Sequence, residues 1–250
     1  MPRTEGERLG QLLSFVVPVF NEAPGIEELW ASLAEAGDRA HRSGAIAAWE
    51  AVLVDDGSTD ASAELLDGLA AAHAEALIVH HPVNRGLGAA LASGFATSSG
   101  DVVVYTDADL PFDLAQVEGL IRPILADEAD MVSARRIGRA REGRWRAVQS
   151  HLFNLLVRVG LRLPVRDANF ACKAARRAAI PPAIVSTSGL VDVEWLLYAK
   201  DVGARIVQPT VEFVPRRWGR STLGSIRTVP AMVQDLRRVL AARKRAGARG

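Results

Sequence analysis

Short apolar runs alternate with helical segments through the first half of this chain, and that rhythm admits few architectures. Leu12–Val19, Trp49–Asp55, Leu77–His81, Asp101–Thr106 and Asp130–Ala134 are rich in Val, Ile and Leu and read as strands. Between them, Pro24–Arg42, Asp60–His73, Gly86–Ser98 and Phe112–Leu125 read as helices, the second with N-cap oxygens in Ser58-Thr59-Asp60. Such alternation predicts an α/β fold, a mainly parallel sheet flanked by helices. The strands are continuously apolar, as burial on both faces requires.

The second half is less regular. Arg144–Arg162 reads as helical, Asp167–Lys173 as extended, Val191–Gly203 as helical, Arg205–Val214 as extended, and Ser225–Arg245 as a final helix interrupted by Pro230. No repeat or low-complexity linker divides the chain, and 250 residues suffice for one full core. The expected organisation is a disordered segment over residues 1–10, one domain over 11–224, and a basic amphipathic helix and tail over 225–250.

Parallel sheets present ligands beyond the C-terminal ends of their strands. Asn21-Glu22, Asp55-Asp56 and Asp107-Ala108-Asp109 fall there. In an extended segment Asp107 and Asp109 point to one side. Adjacent carboxylates suit Mg²⁺ or Mn²⁺, which also grip a diphosphate. Loop or capping carboxylates are the plainer reading of such a pair.

Composition narrows the setting. Cys172 is the only cysteine, which excludes an intrachain disulfide and leaves it no metal-ligating companion. Met1–Gly10 carries no signal-peptide core, and no stretch approaches the roughly 20 apolar residues that span a bilayer. A cytoplasmic protein, soluble or peripheral, is expected. The formal net charge of +1 hides an asymmetry: from Arg216 onward ten basic residues stand against one acid, Asp235. That end suits phosphate or an anionic membrane surface. No nucleic-acid module accompanies it, so no nucleic-acid partner is expected.

The order and spacing of several short motifs resemble inverting family-2 glycosyltransferases of the GT-A fold, most of all those that transfer sugars to polyprenyl phosphates, such as dolichyl-phosphate mannose synthases. The carriers are Val17–Glu22, Val54–Asp60, Asn84-Arg85-Gly86-Leu87-Gly88, Asp107-Ala108-Asp109-Leu110, Ser133–Arg136, Arg146 with Ser150 and Asn154, Asp167–Phe170, Val191–Glu194 and Arg216–Ser221. The resemblance covers about Leu12 to Leu223. It implies a metal-dependent, inverting transfer from a GDP- or UDP-linked sugar to a polyprenyl phosphate.

By that resemblance Pro18, Phe20 and Glu22 line the nucleotide cleft, and one of Asp55 and Asp56 accepts a hydrogen bond from the base. Asn84, Arg85 and Gly88 bring backbone close to the nucleotide, with Ala108 beside it; Leu91 stands where a dinucleotide fingerprint needs Gly or Ala. Asp107 and Asp109 hold the metal on the diphosphate. Arg136, Arg146, Ser150 and Arg216 face phosphates, and Asp192 and Glu194 are candidate bases if one is needed. Each of these also has an ordinary structural reading: helix-surface arginines, and helix-start acids that favour the macrodipole.

Two positions depart from the family pattern. Pro111 stands where many relatives place a Gln, and Thr222 where they place a Lys. Transfer to a hydroxyl of a glycan, glycolipid or small molecule is the alternative, and a non-catalytic nucleotide-sugar binder a second. Ile226, Val229, Val233, Leu236, Val239 and Leu240 recur at helical spacing among the terminal basic residues. That pattern fits a helix lying on an anionic leaflet, a helix closing the domain core, or a homodimer face.

Overall fold

A computed structural model describes residues 11–137, 154–155, 157–215 and 229–247. In chain order the elements are β1 (Leu12–Val19), α1 (Ile26–Arg42), β2 (Ala48–Asp55), α2 (Ser62–Ala72), β3 (Ala76–His80), α3 (Leu87–Thr97), β4 (Val102–Thr106), α4 (Val117–Leu125), β5 (Met131–Ser133), β6 (Arg135–Ile137), β7 (Cys172–Arg176), α5 (Val191–Asp201), β8 (Ile206–Val207), β9 (Thr210–Glu212) and α6 (Val229–Gly247). Seven strands form one sheet in the order β3-β2-β1-β4-β7-β5-β8, and β6 pairs with β9.

The β3-β2-β1-β4 half is parallel throughout. Successive strand residues face opposite sides, so each strand feeds two cores. Phe15, Leu53 and Val104 join α1, α2 and α4 on one face; Val16, Val54 and Tyr105 join α3, α5 and α6 on the other. This two-sided burial is why the strands lack polar alternation.

The second half departs from its sequence pattern. The extended stretch expected at Asp167–Lys173 is instead β7, Cys172–Arg176, inserted antiparallel between β4 and β5. Pro230 does not interrupt α6 but lies in its first described turn.

The described part of the apolar stripe of α6 is turned largely inward. Val239 is 2% exposed, and Met232 and Leu236 pack against the second core. Of the stripe residues whose side chains are described, Leu240 alone stands exposed. The helix therefore closes the domain, and its outer face carries Arg237, Arg238, Lys244 and Arg245. Among the described residues no helix is long and apolar enough to cross a membrane.

Candidate active site

The C-terminal ends of β1, β2 and β4 lie side by side, because Val19 pairs with Asp55 and Val16 with Tyr105 in parallel register. This edge gathers Pro18, Phe20, Asn21, Glu22, Asp55, Asp56 and Asp107–Asp109. Pro18, Phe20 and Glu22 are partly exposed there. The loop after β1 is bolted to the loop after β2. Asn21, at φ 55°, donates its N–H to Ser58 Oγ at 3.0 Å and accepts from Thr59 N at 2.7 Å. Glu22 N donates to Ser62 Oγ at 3.0 Å. Ser58 and Thr59 thus serve this junction rather than capping α2; Asp60 takes the N–H of Ser62 at 2.9 Å.

Asp55 and Asp56 are both buried and both engaged. Asp55 accepts from Ser58 N at 2.9 Å and meets His80 Nδ1 at 3.0 Å. Asp56 meets His81 Nδ1 at 2.7 Å and accepts from the amides of Arg85 at 2.9 Å and Gly86 at 2.8 Å. A base contact with either would be an added bond. Gly57, at φ 70°, has no room for a side chain: a Cβ would lie 2.3 Å from the Val83 carbonyl carbon. The Asn84–Gly88 segment is thereby seated on the end of β2.

Burial alone would raise the pKa of Asp55, but the Ser58 and His80 hydrogen bonds outweigh it and hold the carboxyl below its usual range. The Asp55 bond raises the pKa of His80; burial opposes that, and Asp67 adds to it. The signs define a window. The His80 contribution is complete below about pH 6.5 and is lost as pH rises through its higher folded value. The Asp55 contribution is complete above about pH 4 and is lost as pH falls through its lowered value. His80→Gln is expected to flatten the Tm-against-pH curve between roughly pH 6 and 8, measured by thermal melts; an unchanged slope contradicts the pairing.

Asp107-Ala108-Asp109 is not extended. Strand β4 ends at Thr106, and Leu110 N bonds back to Asp107 O at 3.2 Å, closing a turn. The one-sided alternation expected of an extended segment therefore does not apply. Leu110 is held at φ 50°, a conformation that costs a bulky residue energy and fixes the turn. Tyr105 donates its hydroxyl to Asp107 Oδ1 at 2.9 Å. Burial, reinforced by the Asp107 charge, raises the Tyr105 pKa well above its ordinary value, so the phenol stays a donor. Asp109 lines a cleft with Gly25 and Glu28 of the α1 side, Leu110, Asp113 and Val214.

Beneath this edge lies a buried charged cluster. Lys173 Nζ is fully buried and bonds Asp192 at 2.7 Å and Phe170 O at 2.6 Å. Burial raises the Asp192 pKa, and the Lys173 charge opposes it. Arg136 grips Asp167 through Nε and Nη2, both at 2.9 Å, and stacks over Phe170 at 5.1 Å. Glu194 accepts from the amides of Val185 and Ser186, each at 2.8 Å. Asp192 and Glu194 are buried because the first seven residues of α5 all are.

Asn154 accepts from Ala168 N at 2.9 Å. Arg146, Ser150 and Arg216 lie outside the described residues. The sequence pattern marks none of His80, His81, Lys173 and Asp235 as a site residue. For His80 a partial signal exists: it stands at the end of an apolar run, and the structure sets it in register with Asp55.

Glycosyl transferase family 2 has a family model that matches residues 14–181, well over half of the chain. The chain belongs to that family. Among curated relatives, the family-2 domain is 36% identical over 171 residues to the undecaprenyl-phosphate 4-deoxy-4-formamido-L-arabinose transferase of Pseudomonas paraeruginosa, covering 68% of this chain and 48% of that protein. It is 29% identical over 235 residues to glycosyltransferase AglD of Haloferax volcanii, covering 92% of this chain and 37% of that one. The chain thus spans half or less of the length of these two relatives.

Among solved structures it resembles glucosyl-3-phosphoglycerate synthase from Mycobacterium tuberculosis in complex with Mn²⁺ and UDP-glucose, with a TM-score of 0.69 and 24% identity, covering 96% of this chain and 81% of that one. Mannosyl-3-phosphoglycerate synthase from Rubrobacter xylanophilus gives a TM-score of 0.69 at 22% identity, covering 98% and 77%. These likenesses establish the shared GT-A fold.

Proposed function

We propose that this family-2 domain binds a nucleotide sugar across the ends of β1, β2 and β4 and transfers the sugar, with inversion, to a polyprenyl phosphate. The observation that carries the reading is the convergence of Asp55-Asp56, the Asn84–Gly88 segment and Asp107–Asp109 on one sheet edge. Pro18, Phe20, Glu22, Asn84, Arg85 and Ala108 line the donor cleft. Asp55 and Asp56 hold the loops that shape it. Arg136, with Arg146, Ser150 and Arg216, meets phosphate oxygens.

Asp107 and Asp109 suit a divalent ion of the Mg²⁺ or Mn²⁺ kind. Among the described residues no group of three or more His, Cys, Asp or Glu is arranged to hold a metal. A carboxylate pair completed by diphosphate oxygens and water is nonetheless how such ions are commonly held at nucleotides. When bound, the ion offsets charge developing on the departing diphosphate. Tyr105 orients Asp107 from behind. Tyr105→Phe is expected to weaken Mn²⁺-dependent donor binding about tenfold, measured by calorimetry; equal affinity would remove Tyr105 from the site.

The state of the buried acids supports a phosphate acceptor. Asp192 is paired with Lys173, and Glu194 is bonded to two amides. A phosphate monoester, with a second pKa of about 6, is largely dianionic at neutral pH and attacks without a base. The undecaprenyl-phosphate relative supports the same acceptor class. The basic outer face of α6 suits salt-sensitive adhesion to an anionic cytoplasmic leaflet, near such an acceptor. Transfer to a hydroxyl is the second reading, and it requires Asp192 to leave Lys173 and act as base. A thermal-shift panel of GDP- and UDP-sugars with Mn²⁺ tests the donor site. One nucleotide class should stabilise the protein and lose its effect in excess EDTA; no shift with any donor overturns the reading.

A further inference from the structure

Four consecutive amides in the loop before α5 are held by two carboxylates from two different helices. Glu194 of α5 takes the N–H groups of Val185 and Ser186. Asp235 of α6 takes those of Thr187 at 3.0 Å and Ser188 at 2.9 Å, both on Oδ2. Asp235 is 1% exposed, and a carboxylate is buried at such cost only where its bonds are made. Arg238 meets its other oxygen at 3.3 Å.

With its amides clamped, this loop turns its carbonyls onto the glycine segment. A Cβ at Gly88 would lie 1.7 Å from Ser186 O, and one at Gly86 would lie 2.5 Å from Thr187 O. The close approach that Gly86 and Gly88 permit is therefore made by this loop. On its far side the same segment hands the amides of Arg85 and Gly86 to Asp56. A continuous line of contacts runs from α6 through residues 185–188 and 85–88 to the end of β2.

We propose that Asp235 and Glu194 are positioning residues for donor binding, and that α6 is thereby a working part of the donor site; this rests on the reading of the β2 edge as that site. They hold loop 185–188 as a backstop that fixes Asn84 and Arg85, without touching the substrate themselves. The coupling affects binding of the nucleotide and leaves the transfer step intact.

The test combines hydrogen exchange with kinetics on the full chain. Asp235→Ala is expected to speed exchange at residues 187–188 and also at Arg85 and Gly86. It should raise donor KM about tenfold with kcat within about twofold. Asp235→Asn keeps one oxygen where Oδ2 lies and should hold KM within about threefold of wild type. Arg238→Ala, which spares the amide bonds, should leave exchange at Arg85 and Gly86 and the donor KM at wild-type values. Should Asp235→Ala fail to fold, Glu194→Gln carries the same test, with faster exchange at Val185, Ser186, Arg85 and Gly86 and a raised donor KM. Faster exchange confined to residues 185–188, or an unchanged KM in folded Asp235→Ala or Glu194→Gln, overturns the proposal. A wild-type protein that binds no donor from the panel overturns the donor-site reading and the kinetic half with it; exchange at Arg85 and Gly86 still decides the mechanical coupling.

Discussion

Alanine at Asp109 is expected to lower sugar transfer by about 10²–10³-fold while leaving Tm within a few degrees of wild type. The carboxylate sits on a turn beyond β4, lining a cleft rather than the core, so its loss removes charge from the site without opening a cavity. Asp107→Ala should behave alike, with a slightly larger stability loss because Tyr105 then keeps a buried hydroxyl without its acceptor. Excess EDTA on the wild type should reproduce the Asp109→Ala rate. Full turnover in EDTA, or a fully active Asp109→Ala variant, contradicts a metal at this turn.

The largest expected effect on stability is at Lys173. Its side chain is 0% exposed and that of Asp192 is 6% exposed. Lys173→Met leaves Asp192 as an uncompensated buried charge, at a cost of roughly 3–5 kcal/mol. The pH dependence gives the mechanism away. Burial already raises the folded pKa of Asp192 above its unfolded value, and losing Lys173 raises it further. The folded state then binds the extra proton, so stability of the variant falls as pH rises and recovers as pH falls. The double variant Lys173→Met with Asp192→Leu should be more stable than Lys173→Met alone, since no charge is stranded. Denaturant unfolding at several pH values checks this; a pH-independent loss in the single variant would point to packing alone.

The first half of the fold was legible because each strand there is buried on both faces and carries its own apolar run. Observed and expected strand ends differ by a residue or so at β1 through β4. Strand β7 was not legible. Cys172-Lys173-Ala174-Ala175-Arg176 has no β-branched residue, and its place comes from pairing with both β4 and β5. Side-chain partnerships were hidden for a related reason. Asp192 and Glu194 look like helix-start acids until the neighbours that surround α5 are known. Asp235 looks like a lone acid in a basic tail until residues 187–188 are placed against it. The acidic pair at 107 and 109 stands out in the sequence, but the turn that carries it depends on one backbone bond that no side-chain pattern announces. The spacing of the apolar stripe of α6 serves a core and a membrane equally well, and only the contacts of Leu236 and Val239 with the second core tell the two apart for those residues.

Transfer to the lipid phosphate itself is the most direct measurement. Purified protein with Mn²⁺ and the nucleotide sugar selected by thermal shift is incubated with undecaprenyl phosphate or with undecaprenol, and products are read by mass spectrometry. A glycosyl phosphate formed only from the phosphorylated lipid, and lost in Asp109→Ala, is the expected result. Transfer to a hydroxyl acceptor with undecaprenyl phosphate left unmodified, or no transfer from a donor that binds, would contradict it.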